Sequence, residues 1–285
     1  MRLILIALLL VTGNSFLHAQ VRYFFQAEGN LSLLPKIKNN GTYVNTFAAN
    51  PNQSVINSST TFKHKPGFNV SGGAQVKLSK YLAIEASAGI RMLAYRQKNK
   101  YHIITTDGTN YTESKGTYYH AGITYPAYIV QSPSPGVGYF PYVPDNQADA
   151  SLQKKQGNAN LGFASLAAVL KLNLTEKTSI GIGPSLDFLL WAKAYNDKML
   201  IVESPLPDYV YVWAPKTEKA SIKKDLTNIG ASGHIQLEHQ LTDQFALQAA
   251  FSQAINKLYK DQEMTLSGGK ARMRYVSIGL RYYLQ

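Results

Sequence analysis

The chain has 285 residues, of which 16% are charged and 11% are aromatic, and its formal net charge is +12. It contains no cysteine, which excludes disulfides, thiolate metal sites and a cysteine that could accept a lipid. Beyond the N-terminus no stretch approaches the roughly 18 consecutive apolar residues that a membrane-spanning helix needs. A helical membrane protein is therefore excluded as well.

The first twenty residues are typical of a secretory signal. Met1 and Arg2 precede an apolar run over residues 3–11, and Leu17-His18-Ala19 has the small residue expected at a cleavage site. A buried or anchoring N-terminal helix is disfavoured because the apolar run is too short to span a membrane. We predict a signal peptide over residues 1–19 and a mature domain over residues 20–285.

Eight stretches of the mature chain alternate apolar with small or polar residues at a period of two, which is typical of half-exposed β-strands. In one of them Ile235 and Leu237 alternate with His234, Gln236 and Glu238. Apolar residues fill both parities near the end of the fourth stretch, and a β-bulge around residues 166–172 would explain this. In chain order the stretches are residues 21–33, 68–78, 82–94, 160–172, 180–190, 228–241, 244–255 and 276–284.

The connections between these stretches alternate in length. Three are tight turns with a shared pattern, at Leu78-Ser79-Lys80, Leu174-Thr175-Glu176 and Leu241-Thr242-Asp243. The others are long, near residues 35–66, 98–158, 193–224 and 257–271. Long loops count against a compact soluble domain, whereas short turns at one end and long loops at the other indicate an up-and-down transmembrane β-barrel. We predict an all-β, eight-stranded antiparallel barrel, with 10 or 12 strands if loop hairpins also enter the lipid.

At this point the sequence resembles the small bacterial outer-membrane β-barrel proteins, such as outer membrane proteins A and X and the PorT-like barrel families. The resemblance rests on the signal ending Ala19-Gln20, the three tight turns and the final strand with its Tyr282-Tyr283-Leu284 ending. It implies a multi-pass barrel in the bacterial outer membrane, exported by a cleaved signal peptide. It implies almost nothing about activity.

The inward face of the predicted barrel carries charged side chains of both signs. An eight-stranded barrel is just wide enough to be filled by side chains, and buried charges must pair because an unpaired one costs several kcal/mol. We therefore predict a salt-bridged plug, with a proton or ion path as the alternative. The predicted lumen network comprises Glu28, Lys77, Glu85, Arg91, Asp187, His234, Glu238 and Arg281.

Nearly all of the excess positive charge lies in the long connections and at their rims. Basic side chains at a membrane surface are attracted to anionic head groups, so outer-membrane lipid and lipopolysaccharide are the expected partners. Export and the lack of a binding motif argue against nucleic acid. The candidate contacts are Lys36, Lys38, Lys63, Lys65, Lys257, Lys260, Lys270, Arg272 and Arg274.

Two long connections are rich in aromatic residues, which often form binding surfaces when they are held on exposed loops. The alternative is that residues 101–106 pair with 110–119, and 198–203 with 208–213, as hairpins that extend the barrel wall. Asp107-Gly108 favours such a turn. The candidate recognition residues, for a protein or glycan ligand, are Tyr118, Tyr119, Tyr125, Tyr128, Tyr139, Tyr142, Tyr209, Tyr211 and Trp213.

Signatures of catalysis are missing from the sequence: we find no Gly-x-Ser-x-Gly, no His-Glu-x-x-His and no phosphate-binding glycine loop. His234 and His239 would face opposite ways on one strand and could not share a metal. A hydrolytic triad of Asp187, Ser232 and His234 is conceivable but disfavoured.

We predict a monomer without enzyme activity or cofactor and with a structural or recognition role. A narrow pore or secretion accessory is the first alternative, and a barrel enzyme acting on lipid A or peptides is the second.

Overall fold

A computed structural model of the chain describes residues 20–45, 52–106, 111–119, 121, 154–202, 212–260 and 271–284. These residues form eleven strands, all paired antiparallel, and a turn of 3-10 helix covers Lys223–Asp225. Within these residues no helix is long and apolar enough to cross a membrane. The strands are β1 (Gln20–Ser32), β2 (Ile37–Asn45), β3 (Asn52–Lys77), β4 (Leu82–Thr106), β5 (Tyr111–Tyr118), β6 (Asn158–Asn173), β7 (Thr178–Val202), β8 (Val212–Ser221), β9 (Ile229–Gln240), β10 (Phe245–Ala254) and β11 (Arg274–Tyr283).

Eight of the strands close into a ring in the order β1, β3, β4, β6, β7, β9, β10, β11 and back to β1. The closing pair runs from Phe24 opposite Tyr283 to Ser32 opposite Tyr275. Neighbours in the ring follow one another along the chain once the three extra strands are set aside. The predicted eight-stranded up-and-down barrel is therefore confirmed, and a closed ring leaves no unpaired sheet edge in the wall.

The three remaining strands extend the wall beyond the barrel. A four-stranded sheet is formed by β2, the first half of β3, the second half of β4, and β5. Separately, β8 pairs with the second half of β7. Of the two hairpins considered from the sequence, the one that joins residues 101–106 to 110–119 is confirmed, with Tyr101 opposite Gly116 and Thr106 opposite Tyr111. In the other, residues 198–202 pair with 212–216 and not with 208–213, and residues 203 and 208–211 lie outside the described residues. The long connection predicted near residues 35–66 consists largely of strand, because β2 and the first part of β3 occupy most of it. A bulge between Lys65 and Phe68, at Pro66-Gly67, marks where β3 passes from the barrel into the extension.

The three tight turns share one pattern of side-chain-to-backbone hydrogen bonds. The side-chain oxygen of Ser79 accepts hydrogen bonds from the backbone N–H groups of Tyr81 and Leu82 at 3.2 and 3.1 Å. Thr175 and Thr242 accept the equivalent pairs in the other two turns. Such local bonds favour a turn over continued strand, so the shared sequence pattern corresponds to a shared geometry.

The outward face of the barrel is an apolar belt. Exposed side chains on it include Ile182 and Ile278, each 60% exposed, and Tyr81 at 62%. On β1 the belt runs from Val21 to Leu31, about 33 Å along the strand at ~3.3 Å per residue. A strand tilt of about 40° converts this into about 25 Å along the barrel axis, which is the height of the apolar band of outer-membrane barrels.

The predicted bulge in β6 lies elsewhere. The register of β6 against β7 shifts between Gly162 and Phe163 and is regular from Ala167 to Asn173. Leu170 and Leu172 face outward, while Val169 and Lys171 on the alternate parity are buried. Both parities are apolar near Val169 because small and aliphatic side chains line that part of the lumen.

Candidate functional site: the lumen and the outer rim

Four charged side chains cross the lumen near the end that carries the short turns. We call Arg281, Lys171, Glu85 and Glu238 the Arg281 cluster. Arg281 Nη1 lies 2.6 Å from Glu85 Oε2 and 2.6 Å from Glu238 Oε2, and its Nη2 lies 2.8 Å from Glu85 Oε1. Lys171 Nζ lies 2.9 Å from Glu238 Oε1 and 3.5 Å from Glu85 Oε2. Two cations therefore face two carboxylates, and the cluster has no net charge.

Neutral groups complete this cluster. Tyr283 donates its hydroxyl to Glu238 Oε1 at 2.6 Å, and Gln26 Oε1 accepts from Arg281 Nη2 at 2.6 Å. The ring of Phe24 packs against the Arg281 guanidinium, whose Cζ lies 4.0 Å from the ring centroid. All four charged residues are buried. A buried ion pair is tolerated when further hydrogen bonds satisfy it, and here they come from β1 and β11.

A second ion pair lies farther along the lumen. Arg91 Nη1 lies 2.6 Å from Asp187 Oδ1, which also accepts a hydrogen bond from Ser165 Oγ at 2.6 Å. The Arg91 guanidinium stacks on Tyr275, with Cζ 4.4 Å from the ring centroid. This pair joins β4 to β7, with β6 between them.

Between the two groups of charges is a small polar chamber of about 20 Å³. Glu28, Ser71, Arg91 and His234 are among its lining residues. Within the described ranges, Glu28 Oε1, Ser71 Oγ and Arg91 Nε form no hydrogen bond. A volume of this size and polarity suits about one water molecule with several protein partners.

Buried apolar side chains close the lumen at the end that carries the long connections. Tyr95 and Tyr259 join their hydroxyls at 2.8 Å, and Tyr259 also donates to Gln97 Oε1 at 2.7 Å. Strands and connecting segments both contribute, so this end is filled by packing rather than by charge. We call the group the outer apolar cluster; its main members are Leu34, Ile37, Leu93, Tyr95, Leu161, Phe163, Leu189, Leu226, Leu258, Tyr259 and Met273.

The structure places seven of the eight predicted lumen residues in the interior. Glu85, Glu238 and Arg281 belong to the Arg281 cluster, Arg91 pairs with Asp187, and Glu28 and His234 line the chamber. Lys77 lies apart from them, exposed at the mouth of the barrel. Lys171, which supplies the second cation of the cluster, is missing from the predicted network.

The described residues do not form the conceivable hydrolytic triad. His234 bonds to Ser252 Oγ at 2.7 Å and to Gln236 Oε1 at 3.2 Å, while Asp187 is taken up by Arg91 and Ser165. His239 lies on the outer face, as the strand parity predicts, with Thr178 Oγ1 2.9 Å away. Nor do the residues with described positions offer three His, Cys, Asp or Glu side chains placed to hold a metal ion.

Basic side chains gather on the outward face just beyond the apolar belt. Lys63 is the direct cross-strand partner of Arg96, and Lys65 is the partner of Ala94. Lys65 precedes Phe68, an exposed residue of the apolar belt, by three residues on β3. Partial burial, together with nearby Arg96 and Lys63, lowers the pKa of Lys65. Within the described chain no acidic side chain forms an ion pair with these three cations. We call Lys63, Lys65 and Arg96 the rim cations.

The other predicted lipopolysaccharide contacts are distributed around the same end. Lys36, Lys38, Lys260, Arg272 and Arg274 are exposed, Lys257 is half-buried, and Lys270 lies outside the described residues.

Of the aromatic residues predicted for recognition, Tyr119 is the one with a described side chain. The Arg96 guanidinium lies over its ring with Cζ 4.4 Å from the centroid. Tyr118 lies on β5 and Trp213 on β8, opposite Ile201. Tyr125, Tyr128, Tyr139, Tyr142, Tyr209 and Tyr211 lie outside the described residues.

No protein-family model and no curated protein matches the chain. Among solved structures it is similar to Ail, the attachment invasion locus protein of Yersinia pestis, in complex with the heparin analogue sucrose octasulfate. The identity is 8%, the match covers 93% of this chain and 99% of that one, and the TM-score is 0.35. Outer membrane protein OprG from Pseudomonas aeruginosa gives 8% identity, coverage of 94% and 98%, and a TM-score of 0.36.

The outer membrane protease OmpT from Escherichia coli gives 10% identity, coverage of 93% and 96%, and a TM-score of 0.35. Similarities at this level carry no argument about function, and the barrel assignment stands on the strand pairing of the chain itself. The resemblance to outer membrane proteins A and X and to PorT-like barrels stays a prediction.

Proposed function

We propose that this protein is a bacterial outer-membrane β-barrel without enzyme activity that acts through its surface, as a structural or recognition element of the cell envelope. The apolar belt around a closed ring supports the membrane location, because such a surface is stable only against hydrocarbon. Export by the predicted signal peptide over residues 1–19 leads to the same compartment. The short turns then face the periplasm and the long connections face outward.

The observation that carries the proposal is the filled lumen. The Arg281 cluster blocks one end with paired charges, and the outer apolar cluster blocks the other with packed side chains. A pore would need a continuous water-filled path through the barrel. The polar chamber between the Arg281 cluster and the outer apolar cluster has a volume of only about 20 Å³. A filled lumen supports a stabilising role for the interior of the barrel rather than a conducting one. We therefore assign the function to the surface of the protein.

Two surface features support recognition. The rim cations lie just beyond the apolar belt, where the phosphates of lipopolysaccharide are found, so they are suited to hold outer-leaflet lipid. The tyrosine-rich connections of the sequence supply aromatic side chains suited to bind a protein or glycan ligand. The protein is proposed to act as a monomer, because the closed ring needs no second copy to complete its hydrogen bonding.

The test combines two measurements on the full chain refolded in lipid. Single-channel recording in planar bilayers is expected to show no steady openings, and binding to an array of neutral and anionic oligosaccharides is expected to be saturable. A variant with Tyr125, Tyr128, Tyr139 and Tyr142 replaced by serine is expected to lose that binding while it remains folded. Steady openings of the wild type would overturn the proposal in favour of a narrow pore or secretion accessory.

Enzyme activity is tested separately. Hydrolysis of lipid A or of peptides that is lost in both His234→Ala and Asp187→Asn, with folding intact, would replace the proposal by the barrel-enzyme alternative. We expect no turnover, because His234 and Asp187 are hydrogen-bonded to different partners.

A further inference from the structure

The mouth of the barrel beside the short turns contains an open pocket of about 120 Å³. Its floor is the near side of the Arg281 cluster, with Lys171, Glu238 and Tyr283. Its walls include Arg22 on β1, Lys77 on β3 and Lys177 in the turn between β6 and β7. The pocket is separate from the rim cations, which lie at the opposite end of the barrel.

The floor of the pocket is electrically balanced but the walls are not. Lys171 and Glu238 neutralise each other at 2.9 Å. The walls hold three cations, Arg22, Lys77 and Lys177, against one acid, Glu176. In the part of the chain that the structure describes, no acidic side chain forms an ion pair with any of the three.

Arg22 is positioned by a backbone oxygen and an aromatic ring, and neither of them neutralises its positive charge. Its Nη2 donates to the backbone oxygen of Asp243 at 2.7 Å, and its Cζ lies 4.2 Å from the centroid of the Tyr283 ring. Tyr283 is fixed in turn by its hydrogen bond to Glu238. A guanidinium has five N–H donors in a rigid fork, so Arg22 presents its other donors in a defined orientation.

We propose that this pocket binds a small carboxylate anion. The excess of positive charge attracts an anion, and the guanidinium fork matches a carboxylate geometrically. Glu176 and Glu238 in the lining disfavour a dianion such as phosphate, and the volume suits a group of a few heavy atoms. Two sources supply this chemistry, a free small acid and the terminal carboxylate of a peptide.

The binding does not depend on the proposed function. That function supplies only the compartment, since the short-turn end then faces the periplasm. A pore-forming barrel could carry the same site, and a sealed barrel could lack it, so the two proposals fail independently.

The test is calorimetric titration of the full chain, folded in detergent micelles, with four probes. They are acetate, acetyl-alanyl-alanine, the C-terminal amide of that peptide, and inorganic phosphate. We expect the two carboxylates to bind saturably, with affinity that falls as salt is added, and the amide to give no signal. A peptide acid that binds at least tenfold more tightly than acetate assigns the site to chain ends, and equal affinities assign it to free small acids.

The variants are Lys77→Gln, Lys177→Gln and their combination, with Lys80→Gln as the matched control. Lys80 lies in a short turn at the same end but outside the pocket lining, close to the ring of Tyr81. We expect the double variant to bind at least tenfold more weakly and the control to bind as the wild type does. Lys177 is exposed in a turn, so its replacement alone keeps the test valid if the double variant folds poorly.

Three results would overturn the proposal. The first is equal binding of the peptide acid and its amide, and the second is tighter binding of phosphate than of acetate. The third is an equal loss in Lys80→Gln and Lys77→Gln, which would mean that the attraction comes from the general charge of this end.

Discussion

Arg281 grips Glu85 through two parallel hydrogen bonds, Nη1 to Oε2 at 2.6 Å and Nη2 to Oε1 at 2.8 Å. The two residues lie on β11 and β4, which are not neighbours, because β1 and β3 stand between them in the ring. The pair therefore braces the barrel across its lumen rather than along its wall. Since Arg281 also bonds Glu238 on β9 and Gln26 on β1, one guanidinium links four strands.

Breaking this brace on one side should destabilise the barrel strongly. Glu85→Gln or Arg281→Gln leaves a buried charge without its main partner, which costs about 3–5 kcal/mol. The double variant restores balance, because Lys171 and Glu238 remain as a pair. We expect it to lose less stability than the two single losses added together. Urea unfolding in lipid vesicles, followed by tryptophan fluorescence, measures all three.

Lys80→Gln is the control for this cycle, since Lys80 is exposed in a turn and its loss should leave the unfolding free energy unchanged. Additive losses in the double variant, or losses of less than about 1 kcal/mol in the singles, would contradict the coupled role of Arg281 and Glu85.

Opening the Arg281 cluster should not create a pore. In the double variant Glu85→Gln with Arg281→Gln, the outer apolar cluster still fills the opposite end of the lumen, where Tyr95 and Leu161 are completely buried. Planar-bilayer recordings should therefore resemble those of the wild type, without steady openings. If the double variant conducts while the wild type does not, the Arg281 cluster is the sole barrier and the apolar cluster is permeable.

The barrel was predictable from sequence because its determinants are local. Period-two alternation fixes which side chains face lipid, and three tight turns with a serine or threonine fix where strands reverse. The extension strands were harder to predict. β2 contains Lys38-Asn39-Asn40-Gly41, which lacks an apolar face, because its residues lie beyond the belt and need no contact with hydrocarbon.

The lumen partners were only partly predictable. Parity identifies Glu85, Glu238 and Arg281 as inward but does not say which of them meet, since register and barrel closure decide that. Lys171 was missed because the stretch around it has apolar residues on both parities. Lys171 is the only base on β6 as the structure describes it, and it lies on the inward parity of that strand. Assigning this one charged residue to the lumen would have added it to the predicted network.

Gly162 should be intolerant of larger side chains. It lies at the bulge of β6 opposite Trp191, and a Cβ at this position would overlap the indole ring. Overpacking of this kind costs about 1–3 kcal/mol, so Gly162→Val should lower the unfolding free energy measured in urea. Combining it with Trp191→Ala should recover part of the loss, since the clash is then removed.

The matched control is Gly233→Val, because a Cβ at Gly233 meets no atom within 4 Å. It should change stability far less than Gly162→Val. Equal losses at the two glycines would show that β-strand backbone effects, and not the contact with Trp191, determine the cost.

The rim cations should hold lipopolysaccharide without contributing to folding. Lys63→Gln with Lys65→Gln removes two positive charges just beyond the apolar belt, so lipopolysaccharide binding in a micelle assay should weaken by at least about tenfold at low salt. The same variant should be as stable as the wild type or slightly more so, because mutual repulsion with Arg96 is relieved. Lys80→Gln, at the other end of the barrel, should leave the binding unchanged.

The lowered pKa of Lys65 gives this site a distinct pH dependence. Its folded pKa lies below the ordinary lysine value, so Lys65 loses its proton, and with it the attraction for phosphate, at a lower pH than an unperturbed lysine does. As the pH rises towards 10.5, the ordinary lysine value, wild-type binding should therefore decline while Lys65→Arg, which stays charged, retains more of its affinity. Parallel decline of the two proteins would mean that Lys65 does not contact the lipid phosphate.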